Sequence, residues 1–257
     1  MRLSYIKVSG VMTIKEIVRN RFALILLLTI PALFFALVWL TTGDNLVAFK
    51  LASVSESTVV EVSSRQESLI FIGVAAVGLL ASFLAMNLIQ RNSDVNRRLI
   101  VGGYHPAELI AAKLSVLICV VAVISVYIGI VLSLLFQPRH FGFVILGFAL
   151  AGFVHACYGL LVGALVRREL EGMLLIVLLV NIDAGWLQNP IFYAEAHNKE
   201  LIRYLPAYFP SQASIVSAFT DHSIAGPLVG SLVYGVGLLT VALIIYFLRM
   251  RIKRAHD

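Results

Sequence analysis

An all-α polytopic membrane protein with six transmembrane helices is the fold class predicted by three observations. Of 257 residues, 60% are hydrophobic and only 13% charged, and the apolar residues gather in charge-poor runs long enough to cross a bilayer. Soluble domains carry about 45–50% apolar and about 25% charged residues. A mean hydropathy of +0.94 leaves too little polar surface to cover a water-borne core of this size, so a soluble enzyme, a disordered tail and a free nucleic-acid binder are excluded. The expected solvent is the bilayer.

Residues 1–21 come first. Leu3, Ile6, Gly10, Val11, Ile14, Ile17 and Val18 fall at helical spacing, with Lys7, Lys15, Glu16 and Arg19 elsewhere on the wheel. That pattern predicts an amphipathic helix lying in the membrane interface.

A transmembrane domain over 22–248 follows, with spans at 22–40, 69–89, 114–136, 141–166, 172–187 and 224–248. Each run approaches the roughly 20 apolar residues that a spanning helix needs. The first is too long for a signal-peptide core and lacks a small-residue cleavage pattern at Val38-Trp39-Leu40-Thr41, so it counts as a span. Pro31 within it predicts a kink. The fifth meets Asp183 early and reaches full length only by continuing through Trp186 and Leu187, which compromises its outer end. The tail, 249–257, is basic.

Fifteen of the 20 Lys and Arg residues lie at the two termini, between spans two and three, and between spans four and five. With an even number of spans this asymmetry predicts both termini in the cytoplasm. The net charge of +6 is then mostly topology. No solvated face interleaves basic and aromatic residues as nucleic-acid binding requires.

Between spans two and three, Ser93 can cap a short helix, Asp94 suits its first turn, and Gly102-Gly103 can end it. Pro106 suits the first turn of the next helix. Val95, Leu99 and Ile100 beside Arg97 and Arg98 fit a protein docking surface, and fit equally a charged turn holding two spans in register. On the outer side, the loop 41–68 is rich in Ser, Val and Glu and shows no motif. The stretch before the last span holds Trp186, Pro190, Phe192, Tyr193, Tyr204, Pro206, Tyr208, Phe209 and Pro210. Such aromatic and proline density predicts short interfacial or re-entrant helices that cap a cavity in an assembled complex.

No lysine follows a glycine, so the phosphate-binding G-x-x-x-x-G-K-[ST] loop is absent from the chain. A zinc helix H-E-x-x-H and a nucleophile elbow G-x-S-x-G are also absent. Cys119 and Cys157 read as small core hydrophobes, and no metal site is indicated. His155 reads as a hydrogen-bonded packing histidine, and Asp183 as a carboxylate at the outer helix end reaching water or headgroups. Both also stand as candidates for a translocation path, because ionisable groups inside membranes are often functional. Gly159 with Gly163, and Gly226 with Gly230, form small-x-x-x-small pairs suited to close helix packing or a dimer face.

The chain as a whole resembles the membrane subunit of an ABC transporter of the type-2 permease (exporter) family. The resemblance rests on the amino-terminal helix, the six spans and the aromatic outer element. Its most specific part is Arg97-Arg98-Leu99 followed by Gly102-Gly103-Tyr104, Pro106, Glu108-Leu109 and Lys113. Arg19, Arg21, Pro31 and Gly163-Ala164-Leu165-Val166-Arg167-Arg168 are similar to family habits. The resemblance implies that residues 91–108 contain a cytoplasmic coupling segment seated on an ATPase subunit. It places Val95, Arg97, Arg98, Leu99 and Tyr104 in that contact, with Glu16 and Arg19 of the elbow helix in support. It also implies two ATPase copies carrying ATP and Mg, a second permease identical or homologous to this one, and membrane lipid around both. The cargo implied is an amphipathic or hydrophobic substrate (drug, antimicrobial peptide, lipid or glycan) exported across a bacterial plasma membrane. Short cytoplasmic loops and the absence of an E-A-A-x-x-x-G importer loop favour this class. The alternative is a six-helix secondary carrier driven by an ion gradient, which would need acids at midplane where this chain offers only Asp183.

Overall fold

A computed structural model describes residues 3–54, 58–90, 106–166 and 168–254. Helix α1 (Leu3–Arg19) ends where the Asn20 amide turns back to the Ile17 carbonyl, and α2 (Arg21–Thr41) begins at once with Pro31 inside it. Val11, Ile14 and Val18 of the apolar stripe on α1 are exposed, while Thr13 is buried and Gly10 lies beside Val116.

The loop 41–68 holds structure that its composition does not announce. Strand β1 (Leu46–Lys50) pairs antiparallel with β2 (Val59–Ser63), Leu46 opposite Ser63 and Lys50 opposite Val59. Alternation puts Phe49 and Val62 inward, where both are buried. Asp44 closes the neck of the hairpin by accepting from Ser63 Oγ and from Arg65 Nη1, each at 2.8 Å. The Arg65 guanidinium also lies 4.6 Å from the centroid of the Trp39 ring, which fixes the hairpin against the end of α2.

The remaining long helices are α3 (Ser64–Gln90), α4 (Pro106–Leu135), α5 (Phe141–Leu165), α6 (Glu169–Ile182) and α10 (Ala225–Arg254). Helix α6 continues as a π turn, Asp183–Leu187, which gives the fifth span its full length. With α2 these make six helices, among the described residues, long and apolar enough to cross a membrane. Most run a few residues beyond the charge-free runs; α4 starts at Pro106, its first turn tolerating the missing amide.

Helices α3 and α5 form the centre, and glycines decide how closely. Gly73 faces Phe148, Gly78 faces the His155 ring, Gly159 lies on Ser82 and Gly163 on Met86. Both members of each pair advance together along the chain, so the two helices run parallel. A Cβ at Gly159 would stand 2.7 Å from Ser82 Cα, so only glycine admits this approach. The pair Gly159 and Gly163 therefore serves packing inside the chain. Gly230 likewise admits the Phe209 ring, while the space beside Gly226 is open.

Three short helices, α7 (Pro190–Glu195), α8 (Lys199–Arg203) and α9 (Tyr208–Phe219), fill the segment before α10. Asn189 caps α7 by accepting from the Ile191 and Phe192 amides, and Asn198 caps α8 by accepting from Leu201. The far end of α9 is pinned at the start of α5, where the Arg139 and His140 amides donate to the Ala218 and Ser217 carbonyls and both side chains meet Asp221. Ser214 lies on Gly147, further along α5. The helix thus turns back beside α5, its first residues roughly 15 Å along the bundle from its last at 1.5 Å per residue.

Two expectations are corrected. Asp183 does not reach water or headgroups: it is 6% exposed, enclosed by the segment that returns through Gln188 and Ala207. Cys119 is exposed on α4 and is no core residue, whereas Cys157 is buried.

Candidate functional site

The basic end of the bundle gathers the ends of four helices. Helix α3 ends at Gln90 and α4 begins at Pro106, so the two flank residues 91–105. The last carbonyls of a helix lack partners within it, and here side chains from neighbours supply them. Lys113 Nζ of α4 donates to the Leu88 carbonyl of α3 at 2.7 Å. Gln90 Nε2 donates to Val166 O at 3.0 Å, just past α5, and to Gly163 O at 3.4 Å. Glu108, in the first turn of α4 where a carboxylate suits the helix dipole, is buried with Leu109.

Helix α1 joins this base through Gly10 against Val116 and through charge, because the Glu16 carboxylate acts on the Lys113 ammonium. Glu16 is half-buried and Arg19 exposed. A cavity of about 20 Å³ lies between Leu88, Lys113, Leu114, Leu160, Leu243 and Tyr246, room for about one water molecule. The arrangement can transmit a displacement: α3, α4 and α5, which flank residues 91–105, are joined by two side-chain tethers, and α1 is drawn to Lys113 by charge.

A second polar centre lies within the bundle. Asp183 Oδ1 accepts from Gln188 Nε2 at 3.0 Å, and Oδ2 accepts from the Ala207 amide at 2.8 Å. Gln188, 1% exposed, also approaches the Ile202 carbonyl at 3.4 Å. One carboxylate therefore joins the end of the fifth span to the start of α9. Tyr158 and Tyr234 lie within its electrostatic reach. His155 is a packing residue: Nδ1 bonds the Ala151 carbonyl at 2.9 Å, and the ring lies on Gly78. Its Nε2 has no partner among the described residues.

Of the residues singled out from sequence, Val95, Arg97, Arg98, Leu99 and Tyr104 lie outside the described residues. Glu16 is brought to Lys113, while His155 and Asp183 belong to separate contacts. Lys113, Gln90 and Gln188 were not singled out as contact or path residues. For the first the signal is a lysine set between Leu109-Ile110-Ala111-Ala112 and the run that starts at Leu114. Among the described residues no group of three or more His, Cys, Asp or Glu could hold a metal.

Among the described residues, six apolar helices, a parallel glycine-packed centre and a segment that returns into the bundle before α10 define a multi-pass membrane protein. The family model described as "ABC-2 family transporter protein" matches residues 59–248, and the chain belongs to that family. It is accordingly an ABC transporter permease subunit, a membrane component of a transporter rather than an enzyme. No curated protein matches the chain significantly.

Proposed function

We propose that the chain is one of two membrane halves of an ATP-driven exporter, moving an amphipathic or hydrophobic substrate (drug, antimicrobial peptide, lipid or glycan) outward across a bacterial plasma membrane. Its basic ends face the cytoplasm. Two copies of a separate ABC ATPase bind ATP and Mg there and push on residues 91–105, with Val95, Arg97, Arg98, Leu99 and Tyr104 forming the contact and Glu16 and Arg19 supporting it. The observation that carries this reading is the pair of tethers at the base, Lys113 to Leu88 and Gln90 to Val166, which lets one short segment move three spans together. Coupling requires that the ATP-bound ATPase hold one arrangement of those spans more tightly than the other. The absence of a phosphate-binding loop from these residues supports the reading that hydrolysis belongs to a separate subunit.

The test is purification with candidate soluble ATPases from the same cell, measuring complex formation and ATP turnover. Arg97→Glu with Arg98→Glu is expected to abolish assembly or stimulation while membrane insertion persists. Wild-type turnover in that double variant, or full transport by the chain alone in vesicles, would overturn the reading.

A further inference from the structure

Asp183 is a carboxylate inside the bundle with no countercharge among the described residues. It stands 14 residues beyond Glu169, about 21 Å along the helix axis and so within a hydrocarbon core of about 30 Å. Among the described residues no lysine or arginine is buried, and none acts on this carboxylate. The cations of the segment that returns before α10 are turned elsewhere. Arg203 Nε donates to Tyr193 Oη at 3.1 Å and Nη1 to Glu200 at 2.8 Å, and the Lys199 ammonium lies over the Tyr193 ring. The two donors that Asp183 does have, the Gln188 amide and the Ala207 N–H, are neutral. Buried charges are otherwise found paired or bound to a metal ion.

The oxygens nearby make the same demand. A carboxylate offers about four lone-pair positions, and the two hydrogen bonds leave about half of them without a donor among the described residues. The N–H groups of Gln188 go to Asp183 Oδ1 and to the Ile202 carbonyl, while its Oε1, on a residue 1% exposed, is buried without a partner among the described residues. Tyr158 Oη on α5, within electrostatic reach of Asp183, is buried without one as well. We infer that these oxygens bind one small monovalent cation of the Na+ class, with Asp183, Gln188 Oε1 and Tyr158 Oη as its ligands. An all-oxygen set suits a hard cation. One carboxylate balances one positive charge, whereas a divalent ion would carry an uncompensated charge into the bilayer. Such a site needs only a single acid, so it does not require a cluster of His, Cys, Asp or Glu. The π turn Asp183–Leu187 sets up the geometry, because the Gln188 backbone N–H returns to the Asp183 carbonyl at 3.1 Å and stacks the two side chains one turn apart. Asp183 Oδ2 already holds Ala207, so the ion completes a joint between the fifth span, α5 and the start of α9. The inference is independent of the ATPase and of the direction of transport.

The experiment uses the full purified chain in detergent at neutral pH, with N-methyl-D-glucamine chloride replaced by NaCl at constant ionic strength. Saturating Na+ should raise the unfolding temperature by about 3–6 °C, and radioactive Na+ should bind at one site per chain. Mg2+ at equal ionic strength should give no such shift. Asp183→Asn should abolish both the shift and the binding. Tyr158→Phe removes a ligand that makes no hydrogen bond among the described residues; it should leave unfolding in N-methyl-D-glucamine unchanged and raise the Na+ concentration required roughly tenfold. If Asp183→Asn fails to fold, Tyr158→Phe and the wild-type binding measurement decide. Equal unfolding temperatures in Na+ and N-methyl-D-glucamine, an equal shift with Mg2+, or an unaltered Na+ dependence in either folded variant would overturn the inference. None of these outcomes changes ATPase assembly in the co-purification above.

Discussion

Asp183 shows how one residue can organise two elements. Its two oxygens take the Gln188 amide and the Ala207 backbone N–H, the latter 24 residues away, and both donors are shielded from water. Asp183→Leu leaves them unsatisfied and is expected to lower stability in detergent by about 1–3 kcal/mol, the cost of buried donors without partners. Asp183→Asn keeps one acceptor and should cost less. In the leucine variant the Ala207 amide should exchange faster in hydrogen–deuterium measurements; unchanged exchange there would show that the bond is not made. Sequence located the charge but not its burial, because an aspartate at the end of a span looks the same whether lipid, water or a returning segment covers it. Gly159 is the complementary case. Sequence marked it as a packing glycine, and the neighbour proves to be Ser82 backbone, which cannot move aside as a side-chain tip can. Gly159→Ala should therefore destabilise by about 1–3 kcal/mol, as overpacking does, with thermal unfolding as the readout.

Elements were legible in proportion to how much of their stability is local. The six spans could be read because a helix that satisfies its own backbone is the simplest solution to crossing lipid. The hairpin could not, since its register depends on Asp44, Ser63 and Arg65 meeting across 21 residues. Arg65→Ala should cost under about 1 kcal/mol, because Asp44 is largely exposed and solvent screens the pair. Amide protection across Leu46–Lys50 should nevertheless fall. At the basic end, Lys113→Met with Gln90→Leu removes both tethers and should raise exchange in the first turns of α4. Those side chains are polar residues near the ends of apolar runs, so their existence was visible and their partners were not.

For the whole molecule, the segregation of Lys and Arg makes a topological prediction. A cysteine at Glu195 should react with an impermeant thiol reagent in intact cells, and one at Arg97 only after the membrane is opened; the opposite pattern would invert the chain. The α3–α5 contact limits which motions such a body can make. Sliding α5 by one turn, about 5.4 Å, would bring His155 to the level of the Ser82 main chain, where at present only a hydrogen atom fits. Ratcheting between these two helices is thereby forbidden. They must tilt as a single strut, and any opening and shutting falls to the thinly packed outer helices swinging around it.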